Sequence, residues 1–263
     1  MLNQRIIGTP FPKLDQLLGG GFTSNELIQL TGPPKSGKTT FALYVVLSSL
    51  FEDHFASTPQ ISNSSLAANP ARRRRQDQGE ALYIDTLNIF SAETALEIVL
   101  FLLEERRRIE SHGRATREEE EDYDIAVSVL DRLTVSTCFD IASTLGTIEA
   151  AIALNPPSSP PPSSPPPSPP PAVEQVPNEM DTEQEGEKGR LRIVLVDSLE
   201  ILFPGLEGGL AMGGNGMNGA KAQAGLVAFM RRIREVAKKE NLLFLVRLSF
   251  FHSFLRRVGT DGY

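Results

Sequence analysis

The stretch that most constrains the fold is a glycine-containing loop near the start of the chain. It reads Gly32-Pro33-Pro34-Lys35-Ser36-Gly37-Lys38-Thr39, and it fits the phosphate-loop pattern G-x-x-x-x-G-K-[ST] at every specified position. Glycine lets the backbone turn where a Cβ would clash, so successive N–H groups can point at one anion. The stretch therefore predicts a strand, a phosphate-binding loop (P-loop) and a helix in that order.

The neighbouring sequence supplies the strand and the helix. Residues 27–30 are a short apolar run that predicts a buried strand, and residues 41–47 predict a helix with almost no polar face. Lys38 is expected to reach the β- and γ-phosphates, and the Thr39 hydroxyl to bind Mg²⁺. The alternative is an ordinary glycine-rich turn. The predicted ATP-binding residues are Gly32, Pro33, Pro34, Lys35, Ser36, Gly37, Lys38, Thr39 and Thr40.

A second candidate site residue ends another apolar run. Residues 191–196 are apolar and β-branched apart from Arg192, and Asp197 follows them. Such a run predicts a parallel strand whose carboxyl end lies where ligands bind. We therefore expect Asp197 to hold Mg²⁺ together with Thr39, as the second acid of P-loop enzymes does.

Composition divides the chain into folding and non-folding parts. Residues 57–79 and residues 155–190 are rich in Ser, Asn, Gln or Pro, and we predict that both are disordered insertions. The remaining length suits a single α/β domain. Residues 72–75 are four arginines, which indicate either a nuclear-localisation or nucleic-acid patch or a solvated charge run.

Charge and cysteine content exclude several classes of protein. The chain has 263 residues and a net charge of -7, which argues against a polycation on DNA. Cys138 is the single cysteine, so an intramolecular disulfide and a cysteine-based zinc site are excluded. We expect a soluble intracellular protein with no membrane partner, because no leader and no apolar run long enough to cross a bilayer is present.

The remaining patterns predict alternating strands and helices. Strands are expected at residues 80–86, 133–138 and 242–246. Ser91 is a predicted N-cap for a helix whose apolar face contains Ala92, Leu96, Val99 and Leu103. Further helices are expected over residues 123–130, 139–154 and 221–240. The last of these has an apolar face formed by Leu226, Phe229, Met230, Ile233 and Ala237.

The segment before the P-loop carries a family resemblance. Residues 14–21 read Leu-Asp-Gln-Leu-Leu-Gly-Gly-Gly, which resembles the stretch that opens the ATPase core of RecA/RadA-type recombinases. The resemblance extends over residues 5–56, 80–154 and 191–246. It implies an α/β RecA-like P-loop ATPase core over residues 1–246, with a mostly parallel sheet flanked by helices and incomplete at its C-terminus. It also implies ATP and Mg²⁺ as cofactors.

The chain departs from the family pattern in two places. The family's second strand runs into Asp-Thr-Glu, whose Glu orients the attacking water, whereas this chain has Leu87 there. Glu93 is the best substitute, but it lies well into the next helix. The family's later strand ends in Thr-Asn-Gln or Thr-Asn-His, whereas this chain continues with Arg247. Residues 247–263 are therefore an atypical tail, either a docking segment or a departure of the reading frame.

The branch that the sequence most resembles is the D-type recombinase paralogue of eukaryotes. This resemblance implies an ATP-binding subunit that assists homologous-recombination DNA repair in the nucleus, with weak or no hydrolysis and without the family's N-terminal helical domain. Other recombinase paralogues would be its partners, and single-stranded DNA is a further candidate. The glycine-rich residues 205–219 lie where the family contacts DNA, but they carry no basic residue before Lys221. The alternatives are an active DNA-dependent ATPase or strand-exchange protein, a small-metabolite kinase, and an interaction scaffold with a relic site.

Overall fold

The computed structural model describes residues 5–56, 79–110, 119–154, 190–203 and 216–248. Gly79 and Arg190, each the last residue of a predicted insertion, begin strands. The rest of both insertions, residues 204–215 of the glycine-rich segment and residues 249–263 of the tail lie outside the described residues.

Seven strands and six α-helices make up the described part of the chain. The strands are β1 (Ile6–Ile7), β2 (Phe22–Thr23), β3 (Leu27–Thr31), β4 (Gly79–Asp85), β5 (Leu133–Thr137), β6 (Arg190–Asp197) and β7 (Leu243–Leu248). The helices are α1 (Pro12–Leu18), α2 (Lys38–Ala56), α3 (Ala92–Glu110), α4 (Glu119–Leu130), α5 (Ile141–Leu154) and α6 (Gly216–Glu240). A 3₁₀ turn covers Leu199–Leu202.

The core is a five-stranded sheet in the order β3-β7-β6-β4-β5, and every pair of neighbouring strands is parallel. Parallel strands need crossover connections, and helices supply them here. Strand β7 comes last along the chain but lies between β3 and β6. The carboxyl ends of these three strands therefore meet at one edge of the sheet.

Helices cover both faces of the sheet. On one face, Val45 of α2, Val99 of α3 and Val129 of α4 pack in one cluster with strand residues such as Tyr83 and Leu195. On the other face, Ile148 of α5 and residues of α6 pack with the alternate strand positions. Side chains alternate along a strand, so a sheet buried on both sides reads as continuous apolar runs. The predicted α/β fold class, a parallel sheet flanked by helices, is confirmed.

The structure differs from several of the expectations. Ala92 is exposed, and Ala95 is buried on α3 instead. Helix α6 begins at Gly216 rather than near Lys221. Strand β7 runs to Leu248, so Arg247, which we assigned to the tail, belongs to the sheet. Among the residues described, no helix combines the length and the apolarity needed to cross a bilayer.

Candidate nucleotide site

The P-loop joins β3 to α2 and has the backbone that its sequence requires. Lys35 and Gly37 have positive φ values of 62° and 79°, a region that glycine adopts without strain. A Cβ on Gly32 would lie 3.1 Å from Ser36 Oγ. Side chains from Pro33 to Gly37 are exposed, and helix α2 begins at Lys38. The first N–H groups of a helix have no partner within it and carry a partial positive charge, so the loop is suited to an anion.

Lys38 lies across the mouth of the loop. Its Nζ donates to the carbonyl oxygens of Gly32 at 3.0 Å and Pro33 at 2.7 Å, and it lies 3.4 Å from Ser36 Oγ. These acceptors belong to the loop itself, so the ammonium group is held at the place where phosphate oxygens would approach. The phosphate-binding role of Lys38 stays a prediction.

Strand register explains why residues that are far apart in sequence come together at this loop. Tyr83, Leu195 and Leu245 all face the side of the sheet that α2 covers. Two residues further on, Asp85, Asp197 and Arg247 face the same side. Arg247 pairs with Leu30 of β3, just before the loop, while β6 lies on the other side of β7. Arg247 therefore lies between the P-loop and Asp197.

The guanidinium of Arg247 contacts both residues predicted to hold the metal. Its Nη1 donates to Thr39 Oγ1 at 3.1 Å, and its Nε forms an ion pair with Asp197 Oδ1. The Nε–Oδ1 contact is not an aligned hydrogen bond, so it is best described as a charge–charge contact. Thr39 and Asp197 are thus brought together as expected, but across a cation that the sequence analysis did not place in the site.

Asp197 is fully buried, and its environment acts on its pKa in both directions. Burial has the largest effect and raises the pKa of the carboxyl group above its usual value. Arg247, the Tyr83 hydroxyl and Thr39 lower it. Tyr83 donates to Asp197 Oδ2 at 2.8 Å, and burial together with the neighbouring carboxylate raises the pKa of that phenol. Both carboxylate oxygens of Asp197 are therefore engaged.

These contacts determine whether the site fits a metal ion as well as phosphate. The exposed loop, the helix terminus and Lys38 fit a triphosphate. The metal position does not fit equally well, because a P-loop metal needs the threonine hydroxyl and the acid that Arg247 contacts. Among the described residues, no group of three or more His, Cys, Asp and Glu could hold a metal ion. We therefore derive no step through Mg²⁺ at this site.

The carboxylate at the end of β4 is used by the turn that follows the strand. Asp85 is buried, and its two oxygens accept from the backbone N–H groups of Leu87 at 3.0 Å and Phe90 at 2.7 Å. Leu87 itself is apolar and partly exposed, and Glu93 is exposed in the first turn of α3. Asp85 therefore shapes the turn after β4, and each of its oxygens already accepts a backbone N–H.

Arg247 is the residue that sequence reasoning missed. The apolar run of β7 ended, in our reading, at Val246, and the unfamiliar residues after it were grouped as a tail. Only pairing across the sheet reveals the position of Arg247. One available signal was its spacing: Arg247 follows Leu245 by the same two residues that separate Asp197 from Leu195.

Taken together, the sheet order, the loop conformation and the placement of Lys38 are those of an α/β fold consistent with a RecA-like core. The class rests on features that the described residues show directly: a parallel sheet, a glycine loop after β3, and a helix whose N-terminus follows that loop.

Comparison with known proteins gives the family within that class. No family model matches the chain. The chain is 24% identical, over 89% of its length, to the probable DNA repair protein RAD51 homolog 4 of Dictyostelium discoideum. It is 35% identical over 82 residues to the DNA repair and recombination protein RadB of Pyrococcus furiosus. The matched part of the chain spans 54% and 36% of the lengths of these two relatives.

These likenesses, with the fold, support a recombinase paralogue of the RecA/RAD51 family. The resemblance that the sequence carried is thereby confirmed.

Proposed function

We propose that this chain is an ATP-binding accessory subunit of homologous-recombination DNA repair, with weak or no ATP hydrolysis. The names of both relatives refer to DNA repair, and one of them also to recombination. The observation that carries the proposal is an intact P-loop at the N-terminus of α2 beside a β4 end that offers Leu87 where a general base would be needed.

The division between binding and turnover follows from the chemistry of the two parts. The loop and Lys38 supply charge and N–H donors, which give affinity for a triphosphate. Loss of a general base typically lowers a rate by roughly 10²–10⁴, and Leu87 cannot accept a proton. We therefore propose that ATP acts as a bound ligand whose presence a partner recognises, with other recombinase paralogues as those partners and the nucleus as the location.

The test measures binding and turnover on the same purified chain. We expect a fluorescent ATP analogue to bind, and we expect Lys38→Ala to weaken its binding by about tenfold or more because a charged phosphate contact is lost. Turnover should stay near background with and without single-stranded DNA. Robust turnover that Lys38→Ala abolishes would instead favour the DNA-dependent ATPase.

A second candidate, a scaffold with a relic nucleotide site, is favoured by the position of Arg247 on Thr39 and Asp197. On this alternative, the guanidinium closes the site permanently. Folded wild-type chain that shows no nucleotide binding would support the scaffold and would contradict ATP binding.

A further inference from the structure

The placement of Arg247 raises the question of what supplies the positive charge that a triphosphate needs. In P-loop proteins, a divalent cation does this, held by the loop Ser or Thr and an acid on a neighbouring strand. Here one side chain contacts both of the equivalent residues: Arg247 donates to Thr39 and is ion-paired with Asp197. We propose that the guanidinium of Arg247 stands in for the divalent cation, so that this chain binds nucleoside triphosphates without Mg²⁺. This inference rests on the proposed function, because it requires that nucleotide binds at the P-loop.

The strand fixes the Cα of Arg247 beside the P-loop, and burial confines the side chain there. Arg247 is a strand residue, paired with Leu30 in β3, and its strand continues to Leu248. Its side chain is only 12% exposed. A residue held by a central strand cannot retreat as a loop residue would, so a metal ion would have to displace a buried side chain.

Charge also argues against a metal ion beside this residue. Arginine stays protonated at any ordinary pH, so its positive charge is permanent. A divalent cation between Thr39 and Asp197 would meet this charge at close range in a buried place, where like charges repel strongly. Displacing Arg247 would in turn leave a buried cation without its partner, which is costly.

Phosphate, by contrast, suits the same guanidinium. Its planar set of N–H donors matches phosphate oxygens and can bind two of them at once. Lys38 already lies at the mouth of the loop, and Arg247 reaches the first turn of α2 through Thr39. The two cations therefore approach the anion position from the loop and from β7, and both can contribute positive charge toward a triphosphate.

The experiment compares nucleotide affinity with excess Mg²⁺ and with EDTA, using the full chain and a fluorescent ATP analogue. For the wild type, we expect the two dissociation constants to agree within about threefold. For Arg247→Gln, removal of Mg²⁺ should weaken binding by about tenfold or more, because a charge-assisted phosphate contact is lost and the metal position is open. Arg247→Lys keeps the charge but not the planar set of donors, so it should bind more weakly than the wild type in both solutions and still show little dependence on Mg²⁺.

Controls separate this inference from the proposed function and from misfolding. Arg232→Ala removes an exposed arginine paired with Glu149 on the opposite face of the sheet, and it should leave both constants unchanged. Circular dichroism establishes that each variant is folded. If Arg247→Gln does not fold, Arg247→Met, which retains the apolar volume, takes its place.

Three results would contradict a proposal, and they differ in which proposal they contradict. Wild-type binding that requires Mg²⁺ by tenfold or more would overturn the role of Arg247 and leave ATP binding intact. A folded wild type with no binding in either solution would overturn ATP binding itself. Equal metal dependence in the wild type and Arg247→Gln would also contradict the inference.

Discussion

At the scale of single residues, the buried pair of Asp197 and Arg247 has consequences for stability. Asp197 is fully buried, and burial raises the pKa of its carboxyl group even though Arg247 lowers it. A buried carboxylate that loses its cation keeps the penalty of burial and loses the compensation. The acid then avoids the penalty by taking up a proton.

We predict that Arg247→Gln is destabilised at pH 7 and that its deficit shrinks as the pH falls. Without Arg247, the largest of the effects that lower the pKa of Asp197 is gone, so its folded pKa rises further above the unfolded value. Between those two values, the folded state binds more protons, and stability decreases as pH rises through the window. Urea unfolding at pH 7 and pH 5 should show a loss of about 3 kcal/mol at the higher pH and a smaller loss at the lower.

Arg232→Gln is the matched control for this pH dependence. Arg232 pairs with Glu149 on the surface, and both side chains are more than half exposed, so its loss should cost little and should vary little with pH. A deficit of Arg247→Gln that is the same at both pH values would contradict the burial argument.

The sequence was sufficient to predict Lys38, Thr39 and Asp197 as candidate site residues, because each lies in a local pattern whose chemistry is readable without the fold. Thr39 and Asp197 indeed converge on one point. Arg247 could not be found in that way, since its role depends on which strand lies beside β3. That neighbour is β7, which is more than two hundred residues away along the chain. A short sequence pattern does not determine which distant strands become neighbours in the sheet.

At the scale of elements, side chains are tightly packed around the start of β4, at the end of the sheet away from the P-loop. Asp53 of α2 is buried and is ion-paired with both Arg5 and Arg192. Gly79 lies against this group, and an added Cβ would lie 2.6 Å from Asp53 Oδ2. Glycine is needed here for the space it leaves to the ion pairs.

We predict opposite effects for two glycine-to-alanine substitutions. Gly79→Ala should lower the free energy of unfolding by about 1–3 kcal/mol, because the methyl group overpacks the ion-paired cluster. Gly146→Ala in α5 meets nothing within 4 Å and should raise it by about 0.4–1 kcal/mol, since alanine reduces the freedom of the unfolded chain. Chemical denaturation of both variants tests the pair. A Gly79→Ala variant as stable as the wild type would show that the cluster can shift.

The start of α3 gives a second prediction about an element. Ser91 Oγ accepts from the backbone N–H of Thr94 at 3.1 Å, which is the N-cap that the sequence predicted. Ser91→Ala should cost about 1 kcal/mol, or about 2–4 °C in melting temperature for a domain of this size. Ser91→Asp retains an acceptor and should stay close to the wild type. Equal losses in both variants would point to a packing role for Ser91 instead of a cap.

Element type was easier to predict than element boundaries, for a physical reason. Apolar periodicity records which face is buried, and on α6 it correctly gave Phe229, Ile233 and Ala237 as buried residues. It does not record where a helix begins its contact with the sheet, so Ala92 was expected in the core and is exposed. In the sequence, a charged residue such as Arg247 indicates the end of a buried strand. Here the strand continues past it, because the buried Asp197 pairs with its charge.

At the scale of the whole molecule, the sheet order concentrates chemistry at one edge. Placing β7 between β3 and β6 brings the loop, Arg247 and Asp197 to neighbouring strand ends. Asp85 of β4 follows next to Asp197 in the same row. The hydrogen bond from Thr86 N to Asp197 O, at 2.8 Å, ties β4 to β6 at this edge. A ligand at the P-loop would therefore contact groups held by three strands and α2.

This convergence predicts that nucleotide stabilises the fold as a whole. A ligand that binds only the folded state adds about 2.7 kcal/mol at a hundredfold excess over its dissociation constant, and for a domain of this size that corresponds to a rise of about 5–10 °C in melting temperature. Differential scanning fluorimetry with ATP should show this rise in the wild type and little of it in Lys38→Ala, whose loop lacks the ammonium group. Equal rises in both proteins would place the nucleotide elsewhere. An unchanged melting temperature of the wild type at saturating ATP would contradict the proposal that a partner recognises bound ATP.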